Sequence, residues 1–163
     1  MRTVDSNIRY GSTSGPAKEG YARETSFFTV YVNENVFGLD VREAQAIFRV
    51  GAITPIPLMQ KEIAGLINLR GKVVVAVSLR QRLGSAIANG NRESIAIGLE
   101  RGSEHFALLA ERVGDVLSLP QSARTALPPH CDALQSRYTR ELYVYGSGLI
   151  PILDIQRLFD FEL

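Results

Sequence analysis

The chain has 163 residues, of which 45% are hydrophobic and 21% charged, with a formal net charge of +1. These values fit one domain, or two small halves sharing a core, and they supply no overall field to draw nucleic acid or a membrane. The single cysteine, Cys131, excludes an internal disulfide and fits a reducing compartment. No run reaches the ~18 apolar residues of a membrane span, and the N-terminus shows no basic region leading into an apolar one. The expectation is a soluble cytoplasmic protein with no direct membrane insertion.

Residues Met1 to Glu24 read as a flexible N-terminal tail, because Gly11 to Pro16 are polar and rich in chain breakers. The folded part is expected to run from residue 25 to residue 163. Phe28, Val30 and Val32 alternate with Thr29 and Tyr31, a strand signature. Asn33, Glu34 and Asn35 form a polar turn, and Val36 to Asp40 is the returning strand. Val41, Ala44 and Ile47 stand three apart, which predicts one or two helical turns. Pro55 and Pro57 deny regular sheet pairing around them.

Val73 to Val77 is a β-branched run that reads as a buried strand. Ser94 to Leu99 and Phe106 to Ala110 form a second hairpin, turned at Arg101, Gly102 and Ser103. Val113 to Leu119 is a further strand, stopped by Pro120. Gln121 to Arg140 is polar, holds Pro128 and Pro129, and predicts a long exposed connection. Leu142 to Tyr145 and Leu149 to Leu153 form a last hairpin around Gly146, Ser147 and Gly148. Asp154 is placed to cap a short terminal helix reaching Phe159. Many short strands with turns between them indicate an all-β fold of barrels or a sandwich.

The chain also resembles itself. Gly65 to Leu83 lies ungapped over Glu141 to Phe159 at an offset of 76, and Phe37 to Ile47 matches Phe106 to Val116 at an offset of 69. The halves run roughly over residues 27–84 and 92–160. Each would form a small barrel too small to be secure alone, so an apolar contact between the two would stabilise the pair.

No catalytic constellation emerges. His130 sits beside Cys131, but neighbours in a strand point to opposite faces, and no further ligand completes a metal set. Gly146-Ser147-Gly148 lacks the lysine and long helix of a phosphate loop. Glu111 and Asp115 read as two acids on one solvated strand face. Arg70, Lys72, Arg80 and Arg82 cluster around one strand without interleaved aromatics, which reads as a solvated edge or a protein-binding rim rather than a nucleic-acid patch.

The segment Gly65-Leu66-Ile67-Asn68-Leu69-Arg70-Gly71, followed by Val73, Val74, Val75, Val77, Leu79 and Leu83-Gly84, resembles the hallmark of the CheW-like domain. Ile53-Thr54-Pro55-Ile56-Pro57 is similar to that family's approach to its turn, and Phe27 to Asp40 to its opening hairpin. The resemblance covers roughly residues 25 to 163. It implies two intertwined five-stranded SH3-like barrels with short helical turns. It also implies a non-enzymatic adaptor without cofactor or metal, which couples the cytoplasmic domain of a chemoreceptor to the regulatory domain of a CheA-type histidine kinase. Such a protein would be recruited to receptor arrays at the inner face of the membrane.

On this resemblance Gly65, Asn68, Arg70 and Gly71 fall in the partner-binding region. Glycines flanking the turn permit a tight backbone path, and an arginine there can fork onto a partner carboxylate. The competing role for Arg70 is an internal ion pair that holds the turn. The chain departs from the family pattern at Ala46, Ser78, Ala110-Glu111 and Glu141, which suggests a divergent member serving an alternative chemosensory system. An alternative function is a scaffold or inhibitory module without receptor contact.

Overall fold

The computed structural model describes residues 23–85 and 93–161. The expected N-terminal tail lies outside them except for Arg23 and Glu24, and Glu24 already pairs with Pro120. Strand β1 (Glu24–Val32) turns at Asn33 and Glu34 into β2 (Asn35–Asp40). β3 (Ala44–Arg49) follows, then the hairpin of β4 (Ile63–Leu69) and β5 (Lys72–Ser78), and helix α1 (Leu79–Arg82). The second half repeats this order. It contains the hairpin of β6 (Ile95–Arg101) and β7 (Glu104–Ala110), then β8 (Arg112–Pro120) and the two-residue β9 (Arg124–Thr125). Helix α2 (Ala133–Arg137), the hairpin of β10 (Thr139–Tyr145) and β11 (Gly148–Leu153), and helix α3 (Ile155–Leu158) complete it.

The two halves exchange parts. One sheet has the order β8-β1-β2-β11-β10-β9 and the other β3-β6-β7-β5-β4. The β1–β2 hairpin is therefore sheeted with strands of the second half, and the β6–β7 hairpin with strands of the first. The exchange follows the two offsets seen in the sequence. Parallel β11 and β2 pair Ile152 with Gly38, and parallel β5 and β7 pair the equivalent Ala76 with Ala107. The short helices are equivalent too: the Ser78 hydroxyl accepts the Gln81 N–H at 3.2 Å, and the Asp154 carboxylate accepts the Arg157 N–H at 3.2 Å. Both are N-caps that satisfy an orphan donor of the first turn.

Each barrel has its own apolar core. Ile67, Leu69, Val74, Ala76, Ala107 and Leu109 fill the central barrel, and Phe27, Leu119, Tyr143, Ile150 and Ile152 the terminal one. A larger cluster joins them, with Val30, Phe37 and Leu39 from one sheet packed with Val77, Ile97 and Leu108 from the other and with Leu158 and Phe159 of the C-terminal turn. This shared core is where exchange and stability meet, since neither hairpin can leave without exposing it.

Several expectations are corrected. The helical turns expected over Val41 to Ile47 are instead a turn followed by β3, which pairs with β6 from Ala44↔Leu99 to Arg49↔Ile95 with a bulge between Ala44 and Ala46. A spacing of three also describes a turn plus a bulged strand, and the long-range partner β6 decides between them. The Gly65–Gly71 motif is mostly strand, with only Arg70 and Gly71 turning. The connection Gln121 to Arg140 is partly structured by a 3₁₀ turn, β9 and α2. Because β9 pairs with β10, one sheet has six strands rather than five; its counterpart in the other barrel is the single bridge Thr54↔Leu66.

Candidate functional site

The β4–β5 hairpin closes through the pair Leu69↔Lys72, leaving Arg70 and Gly71 as a two-residue turn with φ of 51° and 82°. Positive φ at both positions is the type I′ geometry, whose twist matches that of the flanking strands. Asn68 supports it by accepting the Gly71 N–H on Oδ1 at 2.8 Å. Glycine occupies such a position freely, whereas an L-residue with a long side chain pays about 1–2 kcal/mol for it. Arg70 bears that cost while its side chain points to solvent, with no hydrogen bond or ion pair among the described residues. The internal ion pair considered for Arg70 is therefore not found, and the conformation is strained without an internal return.

Asn68, Arg70 and Gly71 are exposed together at this tip, whereas Gly65 is buried within β4. Gly65 has φ of 142°, and a Cβ there would stand 2.3 Å from the Thr54 carbonyl oxygen. Thr54 and Leu66 exchange backbone hydrogen bonds of 2.9 and 2.8 Å across this contact. The glycine thus permits the barrel to close beneath the tip rather than presenting a surface.

The tip borders a pocket of about 180 Å³ at the open end of the central barrel. Its floor is Ala46, Leu69 and Val74, which belong to the barrel core or pack on it. Arg70, Lys72, His105 and Gln45 surround it, and among the described residues no carboxylate lines it. Gln45 Nε2 donates instead to Glu100 across β3 and β6. A separate groove of about 600 Å³ runs beside the stacked Phe106 and Phe159 rings, with the exposed Leu58 and Met59 on its lip.

The basic cluster expected around β5 divides. Arg70 and Lys72 are exposed, but Arg80 and Arg82 are buried at 4% and 9%. Arg80 pairs with Glu111 at 2.5 Å, and its backbone N–H donates to Glu93, whose carboxyl is raised above the usual range by burial. Glu111 is accordingly half-buried in an ion pair and not on a solvated face. The Arg82 guanidinium donates to the carbonyls of Leu158, Arg157 and Asp160 and stacks on Tyr138 and Phe161. It ties α1 to the end of α3. No group of three metal-ligating side chains occurs among the described residues.

The CheW-like domain model matches residues 26–162. The chain belongs to the CheW-like family. It is 27% identical over 146 residues to the chemotaxis protein CheW of Klebsiella aerogenes, covering 90% of this chain and 87% of that one. With the chemotaxis protein CheW of Treponema pallidum it shares 22% identity over 80% of this chain and 79% of the relative. The crystal structure of the scaffolding protein TtCheW from Thermoanaerobacter tengcongensis superposes with a TM-score of 0.76 at 22% identity, covering 85% of this chain and 94% of that one. The pair of SH3-like barrels is thereby shown as the fold.

Two of the departures from the CheW-like pattern, Ser78 and Glu141, have local accounts. Ser78 still caps α1, doing for that helix what Asp154 does for α3. Glu141 occupies a position without the positive φ of its equivalent, Gly65, and pairs with Arg124 at 3.6 Å. Sequence reasoning reached Arg70 and noted Ala46 as a departure from the family pattern, but it placed neither Ala46 nor His105 beside Arg70. They lie on β3 and β7, remote from the motif in sequence, and only the sheet order joins them to it.

Proposed function

We propose that the chain is a chemosensory adaptor that holds a chemoreceptor cytoplasmic domain and the regulatory domain of a CheA-type kinase together, without catalysing a reaction. The observation that carries this reading is Arg70, strained in the left-handed region and unpaired at an exposed tip. A guanidinium kept free at such cost serves a contact outside the chain. An adaptor also needs two surfaces that do not overlap, and the Arg70 pocket and the Leu58–Met59 groove share no residue. Membership of the CheW-like family supports the same role.

The site residues in this reading are Asn68, Arg70 and Gly71 at the tip, with Gly65 supporting them from beneath. No helix among the described residues is long and apolar enough to cross a membrane. The reading places the chain in the cytoplasm, brought to the membrane by its receptor. The test is a pull-down of the full chain with the kinase regulatory domain and a receptor cytoplasmic fragment from the same organism. Capture of both in one complex is the expected result. Capture of neither overturns the adaptor role.

A further inference from the structure

The equivalence of the two halves at an offset of 76 reaches back beyond the β4–β5 hairpin. The Ser78 N–H donates to the Glu62 carbonyl at 2.8 Å, and the equivalent Asp154 N–H donates to the Tyr138 carbonyl at 2.8 Å. The register shifts also match, falling between Ile63 and Gly65 in one hairpin and between Thr139 and Glu141 in the other. The segment Leu58 to Glu62 is therefore the counterpart of Leu134 to Tyr138, and Leu58 is the counterpart of Leu134.

The two leucines are housed differently. Leu134 stands on α2 and lies against the end of α1, where a Cβ on Gly84 would come 2.5 Å from its Cδ1. It keeps 40% of its surface exposed, whereas Leu58 is fully exposed. Leu58 also has φ of 64°, a left-handed conformation that costs a leucine energy and here brings it no cover. Asp160 stands at the place of Gly84, so a side chain occupies the room that the glycine leaves for Leu134. The seat taken at the end of α1 is consequently open at the end of α3.

That open seat belongs to the groove beside Phe106 and Phe159. Its Met59, Val75, Glu104 and Phe106 correspond to Gln135, Pro151, Asn35 and Phe37, all of which line a groove in the terminal half. There Pro128 and Cys131 close in from the connection before α2, and about 310 Å³ remains. The central groove keeps about 600 Å³. Ile63, Val75, Phe159 and Phe161 make its walls apolar, and the exposed Glu104 and Asp160 make its rim acidic. Leu58 and Met59 form its lip, with the exposed Lys61 following them. One patch thus holds an apolar knob with a cation and an apolar hole with two acids. Such a patch is complementary to itself across a twofold axis.

We propose that this patch joins two copies of the chain, with Leu58 and Met59 of each copy seated in the groove of the other. Each copy then supplies from outside the cover that Leu134 supplies from within to the terminal half. Lys61 of one copy meets the acidic rim of the other. The contact is a small one, of the size that reversible association uses. It stands independently of the adaptor reading, and the second copy covers a surface that the adaptor reading leaves to a different protein.

The test is sedimentation equilibrium of the full chain alone, from low micromolar to near-millimolar concentration. The expected result is a reversible rise from monomer to dimer mass. Leu58→Asn removes the knob, and asparagine tolerates the positive φ, so the fold is kept. This variant is expected to weaken dimerisation tenfold or more with an unchanged circular dichroism spectrum. Val116→Thr, at an exposed valine of the terminal sheet, is expected to change it less than twofold. A parent chain that stays at monomer mass throughout overturns the proposal and leaves the adaptor reading untouched. A dimer that survives Leu58→Asn also overturns it, since the contact then lies elsewhere. Growth beyond the dimer overturns it as well, because a twofold contact closes at two copies.

Discussion

Replacing Arg70 by asparagine separates a partner-binding side chain from a structural one. The turn at Arg70 and Gly71 has positive φ at both positions. An L-residue in that region costs about 1–2 kcal/mol, but asparagine tolerates it, and Asn-Gly is a favoured pair for a type I′ turn. Arg70 donates no internal hydrogen bond among the described residues, so the substitution removes strain and takes away no internal contact. The Gly71 N–H keeps its acceptor on Asn68 at 2.8 Å. Arg70→Asn is therefore expected to stabilise the protein by about 0.5–1 kcal/mol, which for a domain of this size raises Tm by roughly 1–4 °C. Thermal and urea unfolding followed by circular dichroism measure this, and the same sample is titrated with the receptor fragment. Higher stability with weakened binding is the expected pair of results. A loss of more than about 1 kcal/mol would show that Arg70 holds the fold and refute the reasoning.

Three further perturbations probe the frame beneath the site. Gly65→Ala drives a Cβ into the Thr54 carbonyl at a φ of 142°, and is expected to cost about 2–4 kcal/mol in urea unfolding; near-parental stability would show that the barrel closure is not tight there. Arg82→Lys loses the planar fork that reaches three carbonyls and stacks on Tyr138 and Phe161. It is expected to cost about 2–3 kcal/mol, and a cost below about 0.5 kcal/mol would remove Arg82 as the link between α1 and α3. Asp40 is held below the usual carboxylate range, first by its hydrogen bond with the Arg42 side chain, with burial opposing and Arg140 adding attraction. Its contribution is complete above the ordinary value of about 4 and disappears as pH falls through the depressed one. Asp40→Asn should then flatten the loss of Tm below about pH 4, and an unchanged acid limb would contradict this.

Much of the architecture was legible in the chain because local chemistry carried it. The hairpins ending at Asp40, Ala110 and Leu153 follow from alternation and turn residues, and the cap of α3 from Asp154 before Ile155, Leu158 and Phe159. The offsets 76 and 69 relate the parallel pair Ile152 and Gly38 to the pair Ala76 and Ala107. The strand β3 was not legible, because Val41, Ala44 and Ile47 suit a helical turn as well as a bulged strand, and the deciding hydrogen bonds come from β6, about fifty residues away. The motif identified Arg70, yet its strain is a property of backbone angles that composition does not reveal.

By itself, the sequence determined most of the hairpin strands and where they turn, and it indicated two similar halves. Tertiary structure decided how those halves are shared. Neither hairpin has enough strand partners in its own half to close a barrel, so each takes partners from the other half, and the core between the barrels locks the exchange. The same exchange brings β3 and β7 beside the β4–β5 tip. Ala46, Arg70 and His105 thereby share one pocket, because sheet pairing, not distance along the chain, sets which side chains surround a barrel's open end.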